Sequence, residues 1–111
     1  MAGIVKEEQG KVATRDGYGK GLVAAGKKNK DVVALDADLS DSTRSEWFQK
    51  EFPDRFFSMG IAEQDMIGTA AGLALSGKIP YASSFAIFLE RGFELTRNVI
   101  SRNKINVKIA G

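Results

Sequence analysis

The chain has 111 residues, 43% of them hydrophobic and 27% charged, which is one domain of ordinary globular composition, able to bury about two-thirds of its unfolded surface. A formal net charge of only +2 argues against a broad electrostatic commitment to nucleic acid or to a membrane, and no apolar run approaches the roughly 18–20 residues that span a bilayer. With no cysteine and no histidine, disulfides, thiolate metal sites and the usual general base near neutral pH are excluded, so any chemistry rests on carboxylates, a cofactor or another chain.

Residues 1–11 are polar, carry no signal-peptide pattern, and read as a peripheral extension to a domain over 12–111. Thr14 or Asp16 is placed to cap a first helix carrying Tyr18, Leu22, Val23 and Ala25, and lysines near its end suit the helix dipole. A continuous apolar run over 31–36 predicts a short strand buried on both faces. The string DADLSDST reads as a loop, and a short helix follows over 45–52, stopped by Pro53. A second strand is expected over 56–59, a helix over 62–76 ended by Gly77, and a third strand over 79–83. A long helix over 85–102 would present Phe85, Phe88, Leu89, Phe93, Val99 and Ile100 on its apolar face, and a fourth strand closes the chain over 106–110. Alternating helices and strands predict an α/β fold of three layers, a mostly parallel sheet with helices on both faces.

One segment concentrates the chemistry. From Glu63, the residues Met66, Ile67, Ala70, Ala71 and Ala74 follow helical spacing, so a carboxyl heads a stripe that is otherwise small and apolar. A charge aimed at an apolar surface needs a reason, because burying it without a partner is costly. Left to the residues alone, Glu63 could equally be a solvated glutamate complementing the helix dipole. The string GIAEQDMIGTAAGLA-x-SGKIPYASSFAIF resembles the pyrimidine-binding domain of transketolases, especially their separately encoded C-terminal subunits. The resemblance runs from about Val12 to the last residue.

That resemblance implies the thiamine-diphosphate-binding fold and a transferase that moves a two-carbon ketol unit between sugar phosphates, in carbohydrate metabolism and the pentose phosphate pathway. It implies thiamine diphosphate as cofactor, with Glu63 bound to a ring nitrogen of the aminopyrimidine and favouring its imino form. Asp38, in DADLS, matches the aspartate that lies near the thiazolium. Phe85 and Phe88, one helical turn apart, match aromatics that wall the aminopyrimidine, and Ile61 falls within the cofactor-binding motif. Asp36 and Asp38 also imitate the paired aspartates of haloacid-dehalogenase-type phosphatases, but the later acidic pair of that family is lacking. Without the resemblance, either aspartate reads as a loop cap and the two phenylalanines as core.

One departure stands out. Transketolases carry a third aromatic one turn beyond Phe88, where this chain has Arg91. The string FLERGFE is closer to deoxyxylulose-phosphate synthase, a related thiamine enzyme. Arg91 itself reads as solvated on the helix exterior, or as a donor to phosphate. Gly68 and Gly72, four residues apart, suit close helix packing within the domain or at a subunit interface. Gly21 to Lys27 imitates a phosphate-binding loop but falls inside a helical pattern, and the basic residues Arg97, Arg102, Lys104 and Lys108 lack an aromatic comb for stacking bases.

The magnesium ion and the diphosphate grip are expected on a partner, the diphosphate-binding transketolase subunit, in a dimer or heterotetramer. By comparison with the family, the chain corresponds to part of one domain and is expected to be inactive alone. A non-catalytic assembly module is the rival expectation, and the composition fits a cytoplasmic location.

Overall fold

The structure, a computed structural model, describes residues 11–111; the expected extension over 1–11 therefore lies outside the described residues except for Lys11. The described elements are α1 (Thr14–Lys28), β1 (Val32–Asp36), the single turn α2 (Ser40–Thr43), α3 (Ser45–Glu51), β2 (Phe56–Ser58), α4 (Glu63–Leu75), β3 (Ile79–Ser83), α5 (Ala86–Leu89), α6 (Phe93–Leu95) and β4 (Lys108–Ala110).

Every residue of β1 is buried, as an uninterrupted apolar strand requires when helices cover both faces. Its alternating side chains divide the core in two. Val32 and Ala34 pack with Leu22 of α1 and Phe48 of α3, whereas Val33 and Leu35 pack with Met66 and Ala70 of α4. Ile67 and Ala71 extend that second face to Ile100. The strands are all parallel in the order β2-β1-β3-β4, so the three-layer α/β expectation holds. The register sets Asp36 beside Ser58 on one side and Ser83 on the other. The carboxyl ends of the strands therefore form one edge, which is where open parallel sheets place ligands.

Three local expectations are corrected. The N-cap of α1 is Ala13, which makes no side-chain cap, and Asp16 instead pairs with Arg44 at 2.8 Å. The string DADLSDST is not loop throughout, because Thr43 N–H donates to Leu39 O at 2.9 Å and closes the turn α2. Ser and Asp suit such a first turn even though they disfavour helix interiors.

The helix expected over 85–102 is broken into α5, a 3₁₀ turn (Glu90–Gly92), α6 and a π-helical stretch (Thr96–Ser101). The cause is a close approach at Gly92, where a Cβ would overlap Ile67 Cδ1 of α4. Tightening and then widening the helix rotates its apolar face. Ile100 stays buried, but Phe93 is turned out to 64% exposure. No helix among the described residues is long and apolar enough to cross a membrane.

Candidate functional site

The site is built where β2 turns into α4. Met59 N–H donates to Asp36 O at 2.8 Å, carrying the pairing one residue past β2. Gly60 then takes a left-handed φ of 73°, a conformation open to glycine without a Cβ penalty. Ala62 N–H closes the turn on Gly60 O at 2.9 Å, and Glu63 becomes the first residue of α4 at the carboxyl edge of the sheet.

The Glu63 side chain is 4% exposed, and its partner is Arg91, whose Nη1 donates to Glu63 Oε1 at 3.3 Å. A buried carboxylate left without a counter-charge would be strongly destabilising, so the pair answers the question raised by the apolar stripe. Arg91 is reached across 28 residues of sequence. Its side chain is 59% exposed, and its guanidinium lies over the Phe88 ring at 5.3 Å from the centroid. The expectation of an arginine merely solvated on the helix exterior is therefore corrected: the side chain is exposed, but its guanidinium bonds a buried carboxylate.

Asp38, Ile61, Glu63 and Phe88 line one cleft of about 280 Å³, together with Ala37, Leu39 and Arg91. Four of the five residues expected at a site thus come together. Phe85 does not line this cleft; it stacks behind Phe88 with ring centroids 5.6 Å apart and planes 19° from parallel. Phe85 faces a neighbouring cavity of about 450 Å³, which Arg15, Tyr18, Ser83 and Ser84 also line. The Tyr18 hydroxyl, Ser83 Oγ and Ser84 Oγ are buried with no partner at full hydrogen-bonding geometry among the described residues; burial pushes the Tyr18 phenol above its ordinary value, opposed by the neighbouring Ser83 hydroxyl. Sequence reasoning missed this second cavity. The signal available was a pair of serines at the carboxyl end of a predicted strand.

Asp36 and Asp38 do different work. Asp36 is buried and accepts the Leu39 N–H on Oδ2 at 2.8 Å, with the Ser45 hydroxyl 3.5 Å from Oδ1. Burial raises its pKa, outweighing the lowering by the Leu39 N–H. It clasps the loop in which Asp38 takes a φ of 62°, a left-handed conformation that aspartate tolerates better than most residues. Only Asp38 lines the cleft, so the two carboxylates are not arranged as a nucleophile and an acid–base pair.

Gly68 and Gly72 are exposed, and a Cβ on either would meet nothing within 4 Å. They do not serve packing within the described domain. The phosphate-loop imitation lies inside α1. Among the basic residues near the end of the chain, Arg97 pairs with Glu94 at 2.6 Å and Arg102 donates to Asn98.

In chemical terms the cleft offers one buried carboxylate, one aromatic face and one partly exposed cation. That combination suits a flat heteroaromatic ring whose nitrogen meets the carboxyl while its plane meets phenylalanine.

Comparison with known proteins bears on the family of the chain. Residues 10–111 match the family model of the transketolase pyrimidine binding domain. The chain is 56% identical to a Methanocaldococcus jannaschii protein described as a transketolase C-terminal section, over 86% of this chain and 30% of that protein. It is 43% identical to the transketolase of Homo sapiens over 87% of this chain and 16% of that protein. A solved structure described as a split gene transketolase, inactive beta4 tetramer, superposes with a TM-score of 0.83 at 57% identity, covering 92% of this chain and 34% of that one. The chain thus spans 30% or less of the length of these two relatives. With a family model matched along nearly its whole length, the chain belongs to the transketolase pyrimidine-binding domain family.

Proposed function

We propose that this chain is the pyrimidine-binding part of a thiamine-diphosphate-dependent transketolase, which transfers a two-carbon ketol unit between sugar phosphates. The observation that carries the reading is Glu63, buried to 4% at the head of α4 and lining one cleft with Asp38, Ile61 and Phe88. When bound, thiamine diphosphate supplies a nucleophilic carbon and an electron sink for the ketol fragment.

The residues of the chain divide the remaining tasks. Glu63 holds a proton between its carboxyl and the ring nitrogen of the aminopyrimidine. Phe88, backed by the stacked ring of Phe85, orients that ring and excludes water. Ile61 covers its open side, and the Asp38 carboxylate answers the positive charge of the thiazolium. Arg15, on the wall of the neighbouring cavity, offers a sugar phosphate a guanidinium.

The magnesium ion and the diphosphate group belong, on this reading, to a diphosphate-binding partner subunit in a dimer or heterotetramer, in the cytoplasm. Support for a partner comes from the smooth exposed stripe of Gly68 and Gly72 and from the exposed apolar side chains of Ile61 and Leu75. The region over 12–111 then acts as part of a larger domain, with 1–11 as an extension, and has no turnover by itself.

The test is ketol transfer by the complex reconstituted with the diphosphate-binding subunit. Glu63→Ala is expected to lower the rate by about 10²-fold or more while the complex still assembles. Undiminished transfer would sink the reading and favour a purely structural module.

One observation favours a second reading. Arg91, at the position where transketolases carry an aromatic, lines the cleft, as FLERGFE would have it in a deoxyxylulose-phosphate synthase-like domain. Offering pyruvate against a ketose phosphate as donor, each with an aldose phosphate as acceptor, separates the two, and ketol transfer predicts turnover with the ketose phosphate but not with pyruvate.

A further inference from the structure

The pairing of Glu63 with Arg91 sets up a competition inside the cleft. Glu63 Oε1 is held by Arg91 Nη1 at 3.3 Å, yet a heteroaromatic ring entering the cleft needs that carboxyl for its own nitrogen. We propose that Arg91 is a positioning residue that holds Glu63 by this ion pair and must release it when the pyrimidine ring of the cofactor enters. This inference rests on the assignment of the cleft to the cofactor's pyrimidine.

The surroundings of Arg91 suit a residue with a fixed base and a movable head. Its backbone is anchored, since Gln64 Nε2 donates to Arg91 O at 3.0 Å. The next residue, Gly92, is pressed against Ile67 so closely that a Cβ would overlap it. Its side chain is 59% exposed and makes one bond to the carboxylate rather than the two-pronged contact of which a guanidinium is capable. The Phe88 face beneath the guanidinium, 5.3 Å away, is also the face a planar ring would take. The arginine therefore occupies both recognition elements at once, carboxyl and aromatic wall. Withdrawing it alone would strand the buried carboxylate, so its release is coupled to the entry of a ring nitrogen that takes its place on Glu63.

An occupant that must be displaced reduces the apparent affinity of the incoming ligand by the fraction of time the site is blocked. Thiamine diphosphate binding to the reconstituted complex, followed by calorimetry, is the direct probe. Arg91→Gln is expected to tighten binding by about three- to tenfold, the range set by a single partly exposed ion pair. Arg91→Lys, which keeps a charge without the planar contact, should fall between. In a Glu63→Ala background Arg91→Gln should tighten binding by less than it does with Glu63 present, because the carboxylate contact is already gone and only the one over Phe88 remains.

A structural role alone would weaken binding in both arginine variants. Unchanged or weakened binding in Arg91→Gln, with the native complex binding normally, overturns this inference and leaves the cofactor assignment standing. A native complex that fails to bind thiamine diphosphate defeats the cofactor assignment and this inference together.

Discussion

At the scale of single residues, the site is a set of polar groups whose burial has been compensated one by one. Glu63 has Arg91, and Asp36 has the N–H of Leu39 and the hydroxyl of Ser45. The compensation of Asp36 is incomplete, because burial holds its pKa above the ordinary carboxylate value. The folded chain thus keeps the Asp36 proton more tightly than the unfolded chain does. Its ionisation therefore subtracts stability as pH rises through and above the unfolded-state value, and the subtraction disappears below that value. Asp36→Asn retains an oxygen for Leu39 N–H and removes the charge. It should stabilise the assembled protein at neutral pH, with the gain vanishing below about pH 4, where the aspartate of the unfolded chain is itself protonated. Urea unfolding across that pH range checks this, and a less stable variant at neutral pH would contradict it.

Glu63 was legible in the sequence because helical spacing alone places it at the head of an apolar stripe. Its partner was not, since the Glu63–Arg91 bond spans 28 residues and exists only after α4 and the 3₁₀ turn have docked. Asp36 and Asp38 look interchangeable in the string DADLS. Only the left-handed backbone at Asp38 and the inward clasp of Asp36 tell them apart.

At the scale of elements, β1 and α4 could be read directly. β1 declares itself through an unbroken apolar run, and α4 through small residues on one face and a glycine stop. That stop is a Schellman arrangement, with Gly77 at a φ of 97° and Lys78 N–H donating to Leu73 O at 3.0 Å. The segment after β3 could not be read so simply, because its hydrophobic spacing suits a continuous helix and the break is imposed by contact with α4. Gly92 is the point of contact, and its φ of −98° shows that closeness, rather than a left-handed backbone, demands the glycine. Gly92→Ala is therefore expected to destabilise the protein by about 1–3 kcal/mol through overpacking against Ile67. A thermal melt in which this variant matches the native protein would contradict the close-approach argument.

At the scale of the whole molecule, the described residues leave surfaces of the kind that association covers. β2 and β4 are the outer strands of the sheet, and unpaired strand edges invite further pairing. Leu75, Ile87 and Phe93 are largely exposed, and Gly68 and Gly72 leave α4 smooth. The parallel, three-layer plan was legible from alternating helices and strands, whereas these outward faces were not, because a hydrophobic pattern does not say which apolar residue stays outside. The isolated 111-residue polypeptide should self-associate, or unfold readily, in sedimentation and melting experiments. A monomer that unfolds cooperatively well above room temperature would count against that expectation.

If the cleft around Glu63 receives the pyrimidine ring of thiamine diphosphate, as proposed, the most direct measurement is binding of that cofactor to the reconstituted complex with and without the carboxyl. Saturable binding is expected, which Glu63→Ala weakens by about tenfold or more, the scale of a hydrogen bond involving an ionisable group. Equal affinity in the two proteins would place the ring elsewhere and contradict the proposal.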